Sequence, residues 1–194
     1  MVNFQNALKI SHYIMKLNLQ MGDVAVDGTM GKGRDTLFLR SLVGSLGKVY
    51  AFDIQEEAIV QTSALLKEHG MEENVVLIHD SHERILDYVH QPIKGAMFNL
   101  GYLPGGDHRI TTKAPSTVKA VQSCMDLLLP GGLITVCIYY GHLEGEIERQ
   151  SILSFCETLD PKQFTVIRTE FINQPNKPPI LITIQKNEGQ GKFL

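Results

Sequence analysis

Two apolar, strand-like segments near the end of the chain, Phe164–Ile172 and Ile180–Lys186, are separated only by Asn173–Pro179. A connector that short cannot carry a parallel crossover, so the pair must run antiparallel. Everything before it alternates strand with helix. Phe4–Asn18 reads as an opening helix, and Val24–Val26 as a short strand ending at Asp27. Helix Arg34–Ser45, strand Lys48–Asp53 and helix Glu56–His69, stopped by Gly70, follow. Then come strand Val75–His79, a short helix His82–His90 stopped before Pro92, and strand Gly95–Leu100. Helix Ser116–Leu129, stopped by Pro130-Gly131-Gly132, leads into strand Leu133–Tyr140 and helix Glu144–Leu159. Apolar strands separated by helices imply a parallel sheet covered on both faces. The predicted fold is α/β and Rossmann-like: a seven-stranded, mostly parallel sheet with an antiparallel last strand and helices on both faces.

Composition narrows the classes. With 194 residues, 43% hydrophobic and 20% charged, residues 1–194 suit one domain with a packed core, not a disordered chain. Within it, residues 1–20 form an N-terminal helical segment and 101–115 a long Gly/Pro/Thr-rich loop, of a length often found at functional sites. No apolar run approaches the ~20 residues of a membrane helix, so no membrane partner is expected. The polar N-terminus is unlike a secretion signal, which points to the cytoplasm. Three cysteines, Cys124, Cys137 and Cys156, lack metal spacing and suit reduced, structural thiols. The net charge of −3 requires any nucleic-acid contact to come from a local basic patch.

The segment Asp27-Gly28-Thr29-Met30-Gly31-Lys32-Gly33-Arg34-Asp35-Thr36 joins the first strand to a helix. A phosphate-binding P-loop needs Ser or Thr after Gly-Lys, and Gly33 stands there. A dinucleotide fingerprint needs glycine where Thr36 stands. The remaining reading is a loop whose Gly31 and Gly33 let backbone approach a ligand, with the Asp27 carboxylate favouring a cationic one. The plainer alternative is that these glycines only shape the turn. Asp53 ends the second strand and can accept both ribose hydroxyls. Asp80, ending the third in His79-Asp80-Ser81-His82, can meet an adenine amine, itself or through a neighbour. Three acids at successive strand ends suit an adenosine carrying a sulfonium and an ammonium. His79 and His82 lack a third ligand, so no metal is expected.

The most specific segment is Asn99-Leu100-Gly101-Tyr102-Leu103-Pro104-Gly105-Gly106-Asp107-His108. It is similar to the Asn-Pro-Pro-Tyr/Phe signature of nitrogen methyltransferases, with Leu100-Gly101 in place of the prolines. Together with the glycine loop it resembles, over about residues 1–190, the small bacterial family labelled rRNA methylase. That family includes the tRNA 5-aminomethyl-2-thiouridine methyltransferases of the wobble position. The resemblance implies a class I methyltransferase fold, S-adenosylmethionine as cofactor, and methyl transfer to an aminomethyl nitrogen. It also implies a homodimer. Thr29, Ile54, Gln55, Ser81, His82, Asn99 and Gly101 join Asp27, Gly31, Gly33, Asp53 and Asp80 as cofactor candidates. The catalytic candidates are Asn99, which orients the amine, Tyr102, which stacks on the target ring, and Asp107 with His108, which handle the released proton. Turn capping is the alternative role for Asp107 and His108.

His142, after Tyr139-Tyr140-Gly141, is a rival base or a substrate contact. Pro104, Gly106 and Tyr140 complete the expected substrate wall. Lys32, Arg34, Arg109, Lys113 and Lys119 are candidates for phosphate contact with tRNA or another RNA, although each alone also suits a solvated surface. Two alternatives stay open: an N-methyltransferase of rRNA or of a small amine, and an inactive binding module of the same fold.

Overall fold

The structure, a computed structural model, describes residues 4–101 and 111–189. Six helices and seven strands occupy them: α1 (Ala7–Asn18), β1 (Val24–Asp27), α2 (Arg34–Val43), β2 (Lys48–Asp53), α3 (Glu56–Glu68), β3 (Val75–His79), α4 (Ile85–Tyr88), β4 (Ile93–Asn99), α5 (Ala114–Leu127), β5 (Leu128–Ile138), α6 (Leu143–Glu157), β6 (Phe164–Thr169) and β7 (Ile180–Lys186). One turn of 3-10 helix, His82–Arg84, precedes α4.

The strands form one sheet in the order β3-β2-β1-β4-β5-β7-β6. The first five run parallel, while β7 lies antiparallel between β5 and β6. This is the antiparallel ending expected from the short Asn173–Pro179 connector, and the class I methyltransferase architecture that the resemblance implies. Alternation along the strands separates two cores. Val26, Phe52, Ala96 and Phe98 face the layer of α4, α5 and α6, with Ile85, Val121 and Ile152. Ala25, Val49 and Met97 face the layer of α1 and α2, with Met15, Leu19, Leu39 and Val43. Strand β6, at the edge, is only partly buried.

Several boundaries differ from the sequence reading. Helix α1 starts at Ala7, not Phe4, because Asn6 caps it by accepting the Lys9 N–H at 2.8 Å. The expected helix over 82–90 is the 3-10 turn followed by a single α-turn. Strand β4 begins at Ile93, before the expected Gly95, and α5 begins at Ala114 with Pro115 in its first turn. Helix α5 ends at Leu127, and β5 already begins at Leu128, which is buried and pairs with Ile93. The ladder shifts register between Ile93 and Gly95, and this irregularity absorbs Pro130-Gly131-Gly132 instead of ending a helix there. Strand β5 stops at Ile138, leaving Tyr139 and Tyr140 beyond the sheet. Strand β6 stops at Thr169, where its ladder with β7 ends at Leu181.

All three cysteines are buried and free. Burial pushes the thiols of Cys137 and Cys156 up to about 12 and about 11, and that of Cys124 higher still, so they remain unreactive. Among the described residues, no helix is long and apolar enough to cross a membrane.

Candidate functional site

The strand order reverses between β1 and β4, and a crevice at such a switch point is where open α/β sheets hold ligands. A cavity of about 1160 Å³ lies there, across the C-terminal ends of the parallel strands. Its wall contains Thr29, Gly31, Asp53, Ile54, Gln55, Asp80, Ser81, His82, Asn99 and Gly101 of the cofactor candidates, and Lys113, Tyr140 and His142 of the substrate candidates. Lys32 and Arg34 line it too, whereas Lys119, exposed on α5, does not. Tyr102, Pro104, Gly106, Asp107, His108 and Arg109 lie outside the described residues.

The glycine loop is built by hydrogen bonds to carboxylates. Asp53 Oδ2 accepts the Gly31 N–H at 3.0 Å, and Oδ1 accepts the Gln55 N–H at 3.0 Å. Asp27 is fully buried and stands behind the wall, not beside the ligand path as its sequence position suggested. It accepts the Thr29 N–H at 3.1 Å and the Thr36 hydroxyl at 2.6 Å. Gly33 also serves packing: its φ is +79°, and a Cβ there would meet Thr62 of α3 at 2.9 Å. Gly28 has no room for a side chain, because a Cβ would overlap the Phe98 ring.

Burial, and then the nearby charge of Asp35, push the Asp27 carboxyl up to about 7. Asp53 adds to that repulsion, so three acids meet at this end of the cavity. Asp35 was not singled out in the sequence. It lines the cavity and bonds to His12 of α1, Nε2 to Oδ1 at 2.6 Å, while the His12 ring stacks on Phe38 at 4.0 Å.

At the β2–β3 side, the Tyr88 hydroxyl holds the Asp80 carboxyl below its usual range, helped by the Ser81 N–H and Arg84. Tyr88 and Arg84 both donate to Oδ2 at 2.7 Å, and the Ser81 N–H donates to Oδ1. His82 is buried, which lowers its pKa and keeps it neutral. Its Nδ1 donates to the Gly28 carbonyl at 2.9 Å, which leaves Nε2 as the acceptor. His79 Nε2 bonds to the Ile54 carbonyl at 3.0 Å. The two histidines therefore brace the loops after β1 and β2, the polar packing role, and do not converge as ligands.

On the β4 side, the Asn99 N–H donates to Thr29 Oγ1 at 2.7 Å, joining the two strand ends across the switch point. Asn99 Oδ1 is buried and has no hydrogen-bond partner among the described residues. A buried amide oxygen without a donor costs about 1–3 kcal/mol, so its setting suits a ligand N–H or O–H. His142 Nδ1 accepts the Gly145 N–H at 3.1 Å, capping α6. A Nδ1 that accepts this N–H is not available as a base, which argues against the base role considered for that nitrogen. Lys32, Arg34, Lys113 and Lys177 line the cavity, and none forms an ion pair with a described residue. Lys177 reaches it from the β6–β7 turn, where Asn176 and Lys177 both adopt positive φ, 65° and 49°. Neither residue was flagged by the sequence.

A family described as "Putative rRNA methylase" matches residues 49–185. The chain belongs to this rRNA methylase family. A structure described as a "putative rRNA-methylase" from Clostridium thermocellum is 47% identical, with a TM-score of 0.93, covering 95% of this chain and 99% of that one. A "putative methyltransferase" from Streptococcus mutans, solved in complex with SAH, is 38% identical with a TM-score of 0.87, covering 95% and 99%. Among curated proteins, the "tRNA (mnm(5)s(2)U34)-methyltransferase, chloroplastic" of Arabidopsis thaliana is 34% identical over 194 residues, 95% of this chain and 70% of that protein.

The chain is thus an S-adenosylmethionine-dependent methyltransferase by family and fold, and its own residues fit that cofactor. Asp35 and Asp53 line the glycine-loop end of the cavity with the buried Asp27 behind them, a cluster of carboxyls that suits a ligand carrying a sulfonium and an ammonium. The cavity exceeds the ~300–1,000 Å³ of ordinary single-ligand pockets, leaving space for a second molecule beside the cofactor.

Proposed function

We propose that this enzyme, acting as one domain over residues 1–194, methylates the aminomethyl nitrogen of 5-aminomethyl-(2-thio)uridine at the wobble position of tRNA. The observation that carries the reading is Asn99 Oδ1, a buried acceptor without a partner among the described residues, at the end of β4, beside the cavity and tied to the cofactor loop through Thr29. The 34% identical Arabidopsis relative, whose name specifies a modified U34, supports the nucleoside.

Asp53 holds the ribose hydroxyls, with Ile54 and Gln55 beside it. Ser81, with Asp80 and His82 behind it, frames the adenine. Thr29, Gly31 and Gly101 shape the methionine end, and Gly33 and Asp27 hold that loop from behind. S-adenosylmethionine supplies an electrophilic methyl on a positively charged sulfur. The chain must present a neutral amine, since a protonated one has no lone pair. Enclosure in a low-dielectric pocket lowers an amine's pKa and favours that form. Asn99 Oδ1 accepts one amine N–H and thereby aims the lone pair. The amine nitrogen gains the methyl and gives up one proton. Tyr102 for stacking, and Asp107 and His108 for that proton, are proposed from the sequence alone. Pro104, Gly106 and Tyr140 are assigned to the target wall. His142 is assigned to the substrate wall beside Tyr140.

Lys32, Arg34, Lys113 and Arg109 are proposed for the RNA phosphates, joined by Lys177. A homodimer in the cytoplasm belongs to the same reading and rests on the resemblance. Nucleoside mass spectrometry of tRNA from cells with and without the gene tests it. Loss of the gene should raise the aminomethyl nucleoside and remove its methylated form. An unchanged nucleoside profile refutes the tRNA assignment.

A further inference from the structure

Glu148 of α6 is 2% exposed and does not reach the cavity. It nevertheless holds the wall from behind. The Thr112 hydroxyl donates to Glu148 Oε2 at 2.8 Å, and the Thr117 hydroxyl donates to Oε1 at 2.5 Å. The Gly101 N–H donates to the same Thr112 oxygen at 3.0 Å. The Thr112 N–H returns to the Gly101 carbonyl at 3.1 Å. Between Asn99 and Gly101, the buried Leu100 donates its N–H to the Cys137 carbonyl at 2.9 Å. The residues just after β4, those before α5 and the body of α6 thus form one network that ends at Gly101, two residues along the chain from Asn99.

Donor and acceptor arithmetic accounts for the carboxylate. Thr112 Oγ1 already accepts from Gly101, so its single hydrogen points at Glu148. Thr117 offers its hydrogen to the other carboxylate oxygen. A carboxylate accepts both, whereas an amide accepts from one and donates to the other, so one of the two threonines has to turn its hydrogen away. No cation among the described residues pairs with Glu148, and burial pushes its carboxyl up while the two threonines pull it down. An unpaired buried acid is a poor way to join two helices, because apolar side chains of similar volume would do so without the desolvation penalty. What the acid achieves, and apolar packing cannot, is to fix the Thr112 hydroxyl and through it the Gly101 backbone.

We propose that Glu148 is a positioning residue: through Thr112 it locks Gly101, and so sets the direction in which Asn99 presents its acceptor to the target amine. The proposal rests on the methyl-transfer reading of the site.

The test compares Glu148→Gln, Thr112→Val and Thr112→Ser with the wild type. Single-turnover methyl transfer to aminomethyl-bearing tRNA should slow roughly tenfold or more in Glu148→Gln, the scale of one lost aligning hydrogen bond. S-adenosylmethionine affinity, by calorimetry, should fall by much less than the rate, since the candidate ribose and adenine contacts at Asp53 and Ser81 are untouched and only Gly101, at the methionine end, is loosened. Thr112→Val should match that loss, the double variant should lose little more, and Thr112→Ser should retain the rate. Amide exchange at Gly101 and Thr112 should quicken roughly tenfold in Glu148→Gln, with amides in the β1 and β2 core unchanged. A rate within about twofold of wild type in both Glu148→Gln and Thr112→Val overturns the proposal. So does a rate loss matched by an equal loss of cofactor affinity. If the wild type leaves this tRNA unmethylated, the substrate reading fails, and the exchange data still judge Glu148: unchanged exchange at Gly101 and Thr112 refutes its positioning role.

Discussion

Replacing Asp27 with Asn isolates the electrostatics of the cofactor loop. Asp27 is fully buried among Thr29, Thr36, Asp35 and Asp53, and its carboxyl is pushed from 3.8 to about 7. The folded state therefore holds a proton that the unfolded chain has released. That contribution to stability is complete below about pH 4 and is lost as pH rises toward about 7. From about pH 5 to about pH 8, the linkage amounts to roughly 2–3 kcal/mol lost by the wild type on account of this one group. Asn keeps one acceptor for the Thr29 N–H and offers an amide N–H to Thr36, so the loop persists and the titration disappears. His82 contributes in the opposite sense: held neutral by burial, it favours the fold above its unfolded pKa and disfavours it as pH falls. Because that slope is common to both proteins, the difference between them reports Asp27. Urea unfolding across this range should show the wild type losing ground to Asp27→Asn as pH rises. Saturating S-adenosylmethionine should shrink the difference, since a cation at the site favours the carboxylate. Parallel curves for the two proteins would refute the reasoning.

Asn99→Ala should lower turnover on the order of a hundredfold or more with cofactor affinity nearly unchanged, measured by single-turnover transfer and calorimetry. Asp53→Ala should weaken S-adenosylmethionine binding by roughly 1.5–3 kcal/mol, the range for hydrogen bonds to a charged group; unchanged calorimetric affinity in a folded variant removes Asp53 from the ribose site. Gly28→Ala, whose methyl would overlap the Phe98 ring, should destabilise the fold by about 1–3 kcal/mol or more, read as a lowered melting temperature. Sedimentation should show a dimer that dissociates on dilution; a monomer at every concentration removes the dimer.

The sheet was legible because its signal is local. Runs such as Lys48–Asp53 and Ile180–Lys186 carry their burial on their face, and the short Asn173–Pro179 connector dictates the antiparallel ending. The strand-end positions of Asp53, Asp80 and Asn99 followed from the same pattern, and the cavity gathers all three. What stayed hidden depends on partners distant in sequence. Nothing near Asp27 reveals that burial, with Asp35 and Asp53 adding to it, raises its carboxyl, or that it sits behind the wall. His12 finds Asp35 across 23 positions, and Glu148 finds Thr112 across 36. Lys177 reaches the cavity through two left-handed residues that no glycine announced. Boundaries slipped where tertiary pairing overrode punctuation, as when Leu128 joined the sheet ahead of Pro130-Gly131-Gly132.

The most direct test of the account is transfer of a labelled methyl from S-adenosylmethionine to purified tRNA that carries 5-aminomethyl-2-thiouridine, beside the same tRNA without the aminomethyl group. The account predicts label on the aminomethyl nitrogen alone, none on the control, and a rate that collapses in Asn99→Ala. Equal labelling of both RNAs, or label on a ring atom or ribose, would contradict it.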